Sequence, residues 1–144
     1  MAGEQIKNKI IRGNYGKVWI DGELMANVKS FEAKVSLEYE EVDIQGELGK
    51  YQRYVGYSIA GTILLHKVDS KIINKLDAGI RSGALPDVKV VARLADPQSA
   101  GAERVELIDV TFDEATLLQY ENKKVSEESV PFKASAYNYL DYIV

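Results

Sequence analysis

Residues 30–39 read SFEAKVSLEY. Phe31, Ala33, Val35, Leu37 and Tyr39 are apolar, and Ser30, Glu32, Lys34, Ser36 and Glu38 between them are polar. A period of two held this long describes a strand with one dry face and one wet face. Strand-like sequence extends either side of it, over residues 28–44. A second such run, 53–68, follows after IQGELGKYQR, with Val55, Tyr57, Ile59, Ile63 and Leu65 at the same spacing. At about 3.3 Å per residue each run would reach roughly 50 Å. A chain of this length packs into a globule only about 37 Å across. Either the strands bend sharply or their hairpin projects from the domain. Val42 and Ile44 fall on the face opposite to Tyr39, which places a β-bulge or bend near Glu40 and Glu41. Residues 44–54, with two glycines and mixed charge, read as the tip of a projecting hairpin or loop. Its candidate contact residues are Gln45, Glu47, Leu48, Tyr51, Arg53 and Tyr54.

The rest of the chain continues the β theme. GKVWIDGELM predicts a hairpin turning at Asp21-Gly22, a pair suited to a type I′ turn, with the run from residue 28 as its return. Gly56 and Gly61 mark bends or close backbone approach. One helix is expected over residues 70–82. Ser70 suits its N-cap, and Ile72, Ile73, Leu76 and Ile80 form an apolar stripe. Gly83 suits a left-handed C-cap and Pro86 bars continuation. Gly79 inside the helix costs it about 1 kcal/mol relative to Ala. Further strands follow at DVKVVARLAD, ERVELIDVTFDEA and VPFKASAY, the first two joined by a turn at PQSAGA. The apolar positions shift from Val105 and Leu107 to Ile108, Val110 and Phe112, a second bulge. The expectation is a mainly β domain: an antiparallel β-sandwich or small barrel with one flanking α-helix.

At 144 residues the chain reads as a single domain, 1–144, with 1–12 expected as a flexible N-terminal arm. A net charge of −4 gives no basic footprint for nucleic acid. With no cysteine, disulfides, thiolate catalysis and cysteine metal sites drop out. The N-terminus lacks the apolar stretch of a signal peptide, and no apolar run approaches the roughly 20 residues of a membrane span. The only histidine, His66, lies in a strand-like run and reads as a plain sheet residue. No phosphate loop, dinucleotide fingerprint, nucleophile elbow or calcium-loop spacing appears. No catalytic, cofactor or metal residue is therefore expected, and no enzyme.

Taken in order, the segments GNYGKVWIDGELMANVKSFEAKVSLEYEEVDIQG, GYSIAGTILLHKVDSKIINKL, GAERVELIDVTFDEA and EESVPFKASAYNYLD resemble the tail tube proteins of PBSX-type prophage elements. The resemblance runs from about Gly13 over nearly the whole chain. It implies an inner-tube subunit of a contractile phage tail or of a phage-tail-like bacteriocin. Such subunits form hexameric rings that stack around a channel, and the long hairpin reaches adjacent copies. It implies sheath, baseplate and tape-measure proteins as partners, and passage of DNA only in a true phage. Synthesis in the bacterial cytoplasm and a place in a virion tail or released particle also follow from it. Glu32, Lys34, Ser36 and Glu38 are then candidates for a wet face, lumenal or external. Two other readings remain open: a monomeric β-barrel that binds a small apolar ligand, and an enzyme using carboxylates.

Overall fold

The computed structural model describes residues 16–68, 70–95 and 102–141. The expected 1–12 arm and most of the PQSAGA turn lie outside them. The elements are β1 (Gly16–Ile20), β2 (Glu23–Leu24), β3 (Val28–Asp43), β4 (Lys50–His66), α1 (Lys71–Ser82), β5 (Val88–Leu94), β6 (Glu103–Phe112), β7 (Glu127–Ala134) and β8 (Ala136–Asp141). All strands pair antiparallel, in the order β2-β1-β5-β6-β7-β4-β3, with β8 also on β6. This is the mainly β architecture with one helix that the sequence predicts. The sheet folds on itself but does not close into a barrel, because β2 and β3 end the order without pairing.

The fold line is β6. Its residues from Arg104 to Ile108 pair with β8, and Thr111 and Phe112 pair with β7. The register on β5 slips between Val88 and Val90, so β6 carries one extra residue there. Asp109 takes φ 53° at that slip, as the bulge residue of such an irregularity can. Across from it the chain creases at Ser135, whose N–H donates to the Ile108 carbonyl at 3.1 Å. The predicted phase change at Leu107–Ile108 is this crease. It turns one sheet into two leaves, β2-β1-β5-β6-β8 and β7-β4-β3.

One apolar cluster joins the leaves. Val18, Ile20, Val88, Val90, Leu107 and Val110 come from the first, and Ile59, Ile63, Leu65, Val130 and Phe132 from the second. Full burial of each large side chain contributes about 1.5–3 kcal/mol. Gly61 admits the largest of them. A Cβ there would collide with the Glu32 carbonyl and stand 2.6 Å from the Phe132 ring. Phe132 in turn stacks on Phe31 with centroids 5.8 Å apart.

Asp21 (φ 51°) and Gly22 (φ 82°) form the expected tight turn. Its return is shorter than the sequence suggests, ending at Leu24. Residue 28 onward pairs with β4 instead. Buried Met25 and the Asn27 amide, which donates to the His66 carbonyl at 2.7 Å, carry the chain across to the second leaf. The helix ends at Gly83 in the left-handed region, as predicted (φ 82°). Ser70 precedes the helix, but its side chain makes no capping bond. The buried face holds Ile72, Leu76 and Gly79, while Ile80 is exposed. Gly79 stands there because a Cβ would meet the Ala84 carbonyl and Leu85 at 3.0 Å. Glu23 bonds Lys71 at 3.0 Å and Lys75 at 3.5 Å, tying β2 to the helix. The Lys71 hydrogen bond leads in holding the Glu23 carboxyl below the usual range.

Candidate assembly surface

The core ends long before the long strands do. On β4 the last buried side chain toward the tip is Ile59; on β3, Phe31 is already only partly buried. Beyond them every residue from 32 to 58 except Gly56 is exposed. Nine residue steps separate Ile59 from the tip end of β4 at Lys50, about 30 Å of strand. The β3–β4 ladder runs unbroken in pairing from Ser30–Leu64 to Asp43–Lys50 apart from one slip. That slip pairs Glu38 with Gly56 and Tyr39 with Tyr54, so the extra residue is Val55 on β4. The sequence places the irregularity on the β3 side, near Glu40; pairing puts it across the ladder. A phase change read on one strand cannot say which partner holds the extra residue.

The bulge sorts the arm's side chains. Glu32, Lys34, Ser36 and Glu38 share one exposed face, opposite Thr62, Ala60, Ser58 and Gly56. Past the bulge that face continues as Glu40 opposite Arg53 and Val42 opposite Tyr51. The other face carries Val35, Leu37, Tyr39, Tyr54 and Tyr57, each roughly half exposed. Tyr39 and Tyr54 meet edge to face at 6.1 Å. Gln45 and Gly46 form the tip turn, closed by the Glu47 N–H donating to the Ile44 carbonyl at 3.1 Å. Leu48 stands fully in solvent, and the Tyr51 hydroxyl donates to Glu47 at 3.1 Å. The six tip candidates thus split between the turn and two faces: Tyr51 and Arg53 on one, Tyr54 on the other.

Two surfaces escape sequence reasoning. At the arm's root the leaves splay, leaving an open groove of about 680 Å³. Phe31, Val35 and Ile59 line one wall, and Val105, Leu107 and Tyr137 line the other. Tyr57 and Tyr139 both meet Tyr137 edge to face at 6.2 Å, continuing the aromatic row of the arm. The second surface is the 113–126 loop at the opposite end of the strands. Ala115 packs on the core, but Leu117, Leu118 and Tyr120 are about 80% exposed. A run of three large apolar residues within TLLQY is the signal that could have found it.

His66 closes β4, opposite Glu127. Among the described residues no group of three or more His, Cys, Asp or Glu side chains could hold a metal ion. No helix among them is long and apolar enough to cross a membrane.

Chains solved as parts of contractile injection systems share this fold. A chain of a PVC sheath–tube complex in the extended state superposes with TM-score 0.74 at 9% identity, covering 100% of this chain and 98% of that one. The tube-terminating cap of the anti-feeding prophage gives 0.73 at 8% identity, covering 92% of each chain. Sequence narrows the class to a family. The phage tail tube protein family model matches residues 5–141, and this chain belongs to that family. XkdM of the phage-like element PBSX of Bacillus subtilis (strain 168) is 36% identical over 124 residues, 85% of this chain and 84% of that protein. YqbM of the same strain matches to the same extent.

Proposed function

We propose that this chain is the inner-tube subunit of a contractile phage tail or phage-tail-like bacteriocin, six copies closing a ring and rings stacking around a channel. The carrying observation is the bare arm. A lone domain has no use for about 30 Å of paired strand with an aromatic face left half in water, and such an edge is an aggregation hazard. A second copy covering it removes both problems. Two sets of exposed apolar groups sit at opposite ends: the arm and groove at one, Leu117, Leu118 and Tyr120 at the other. Unlike patches at opposite ends suit a head-to-tail contact, which gives a ring if it closes and a stack if it translates.

In this reading Gln45, Glu47, Leu48, Tyr51, Arg53 and Tyr54 are inter-subunit contacts. Glu32, Lys34, Ser36 and Glu38 form the wet face lining the channel. Similarity to a sheath–tube complex and to a prophage baseplate supports sheath and baseplate proteins as partners. Placement in a phage or phage-like particle accords with the family. A polyanion would slide past the carboxylates of such a wall, since binding of phosphates needs cations.

Negative-stain microscopy of concentrated protein, with particle mass measured alongside, tests the reading. Hollow rings or tubes are expected. Deleting 45–53 should leave the fold intact and abolish them. A chain that stays solitary at millimolar concentration refutes the proposal and favours a monomeric ligand-binding domain, with the groove as its site.

A further inference from the structure

The groove at the arm's root carries the core out into solvent. Leu107 belongs to the core cluster and Val105 packs against it, yet both also line the groove. Tyr137 and Tyr139, opposite Leu107 and Val105 on the β6–β8 ladder, are 41% and 40% exposed, and Val35 on the facing wall is 44% exposed. Apolar surface that begins at core depth gains by being covered.

The rim of this groove is also where the chain enters the domain. Gly16 opens β1 opposite Leu94, Leu94 stands opposite Glu103, and all three line the groove. The sequence up to that point is MAGEQIKNKIIRGNY. It carries Ile6, Ile10 and Ile11, and isoleucine is among the residue types most often buried. Gly13 and Asn14 are turn formers, placed to reverse the chain just before β1. Residues 6–11 lie five to ten positions before Gly16. That is a reach of about 8–15 Å as helix and about 16–33 Å as strand. Facing leaves of a two-layer core stand about 10 Å apart, so either conformation spans the groove. Lys7, Asn8 and Lys9 stand between the isoleucines, and a groove open on one side leaves them in water.

We propose that the groove is the docking site for residues 6–11 of the same chain, with Ile6, Ile10 and Ile11 laid over Val105, Leu107 and Tyr137. Attachment at Gly16 selects this occupant. A tether this short holds the segment at an effective concentration of about millimolar, which a second copy would have to match from free solution. On β3 the groove ends at Val35, so the docked segment leaves Leu37, Tyr39 and Tyr54 bare for neighbours. The inference goes beyond the tube-subunit reading and does not rest on it.

The chain has no cysteine, so Lys9→Cys offers a single site for a nitroxide spin label. In the full-length, isotope-labelled protein below its assembly concentration, the label should broaden the NMR signals of Val105, Leu107 and Tyr137. Adding Ile6→Asp and Ile10→Asp should abolish that broadening, whereas Ile6→Leu and Ile10→Leu should preserve it. An equal mixture of isotope-labelled wild type with unlabelled, spin-labelled Lys9→Cys should show none. Without the label, Ile6→Asp with Ile10→Asp should lower the urea midpoint and raise binding of anilinonaphthalene sulfonate, a dye that reports exposed apolar surface. Groove signals that stay sharp, or broadening that the Asp pair leaves in place, overturn the inference. Broadening of equal strength in the mixture also overturns it and gives the groove to the segment of a second copy. So does a midpoint and dye binding equal to wild type in the Asp pair, the result for a terminus that touches nothing.

Discussion

Replacing Gly61 with Ala tests whether the arm is rooted where the geometry puts it. Gly61 faces Ala33 on β3 and Phe132 on β7, so three strands meet at one missing side chain. An added Cβ would overlap the Glu32 carbonyl and lie 2.6 Å from the Phe132 ring. The ring can rotate, at the expense of its stacking on Phe31. The carbonyl is backbone, so β3 itself must shift. Overpacking by one methyl costs about 1–3 kcal/mol, and two contacts of this closeness put Gly61→Ala near the upper figure, about 3 kcal/mol. For a domain of this size that lowers Tm by roughly 6–12 °C. Unfolding should be followed in urea below the assembly concentration, so that association does not add to apparent stability. Phe132→Leu supplies the control. The ring's share of the clash disappears in the double variant, while the carbonyl's remains. A coupling of about 1 kcal/mol between the two sites is therefore expected. A cost under about 0.5 kcal/mol for Gly61→Ala, or no coupling, would refute the claim that these strands touch through this glycine.

Other expectations follow from the same surfaces. Cysteines placed at Lys34 or Ser36 should resist labelling from outside sealed tubes; ready modification there would assign that face to the exterior. Changing Leu117, Leu118 and Tyr120 together to Ser should alter stability by no more than about 0.5 kcal/mol per site, as for exposed positions, yet stop rings from stacking. Normal tubes from that variant would remove the loop from the stacking contact. The Lys29–Glu127 bond at 2.6 Å, which bridges β3 and β7 across His66, holds the Glu127 carboxyl below its ordinary value. A lowered carboxylate pKa gives stability that is complete above the unfolded value, about 4.3, and lost as pH falls through the folded one. Glu127→Gln should therefore lose this small contribution at neutral pH and converge on the wild type as pH falls below about 4.3, which flattens the acid limb of the stability profile. An unchanged acid limb would show that the contact contributes nothing in solution.

The strands, the helix and the crease were legible because each has a local cause. Alternation marked β3, the Asp21-Gly22 pair marked the turn, and the switch from Leu107 to Ile108 marked the extra residue on β6. What the pattern left out is which side of a dry face is covered. Val35, Leu37 and Tyr39 have the spacing of core residues, and nothing nearby says that the core stops at Ile59. Coverage depends on where the other leaf ends, a long-range property. The length mismatch revealed an overrun and located its tip, but not its root at residue 32.

The pairing of β4 with β7, from Ile59–Ala134 to His66–Glu127, lies parallel to the arm's own direction. A pull on the arm along that line strains the whole set of rungs at once, whereas a sideways tug opens them one by one. The arm's root therefore resists a pull along the strands far better than one across them.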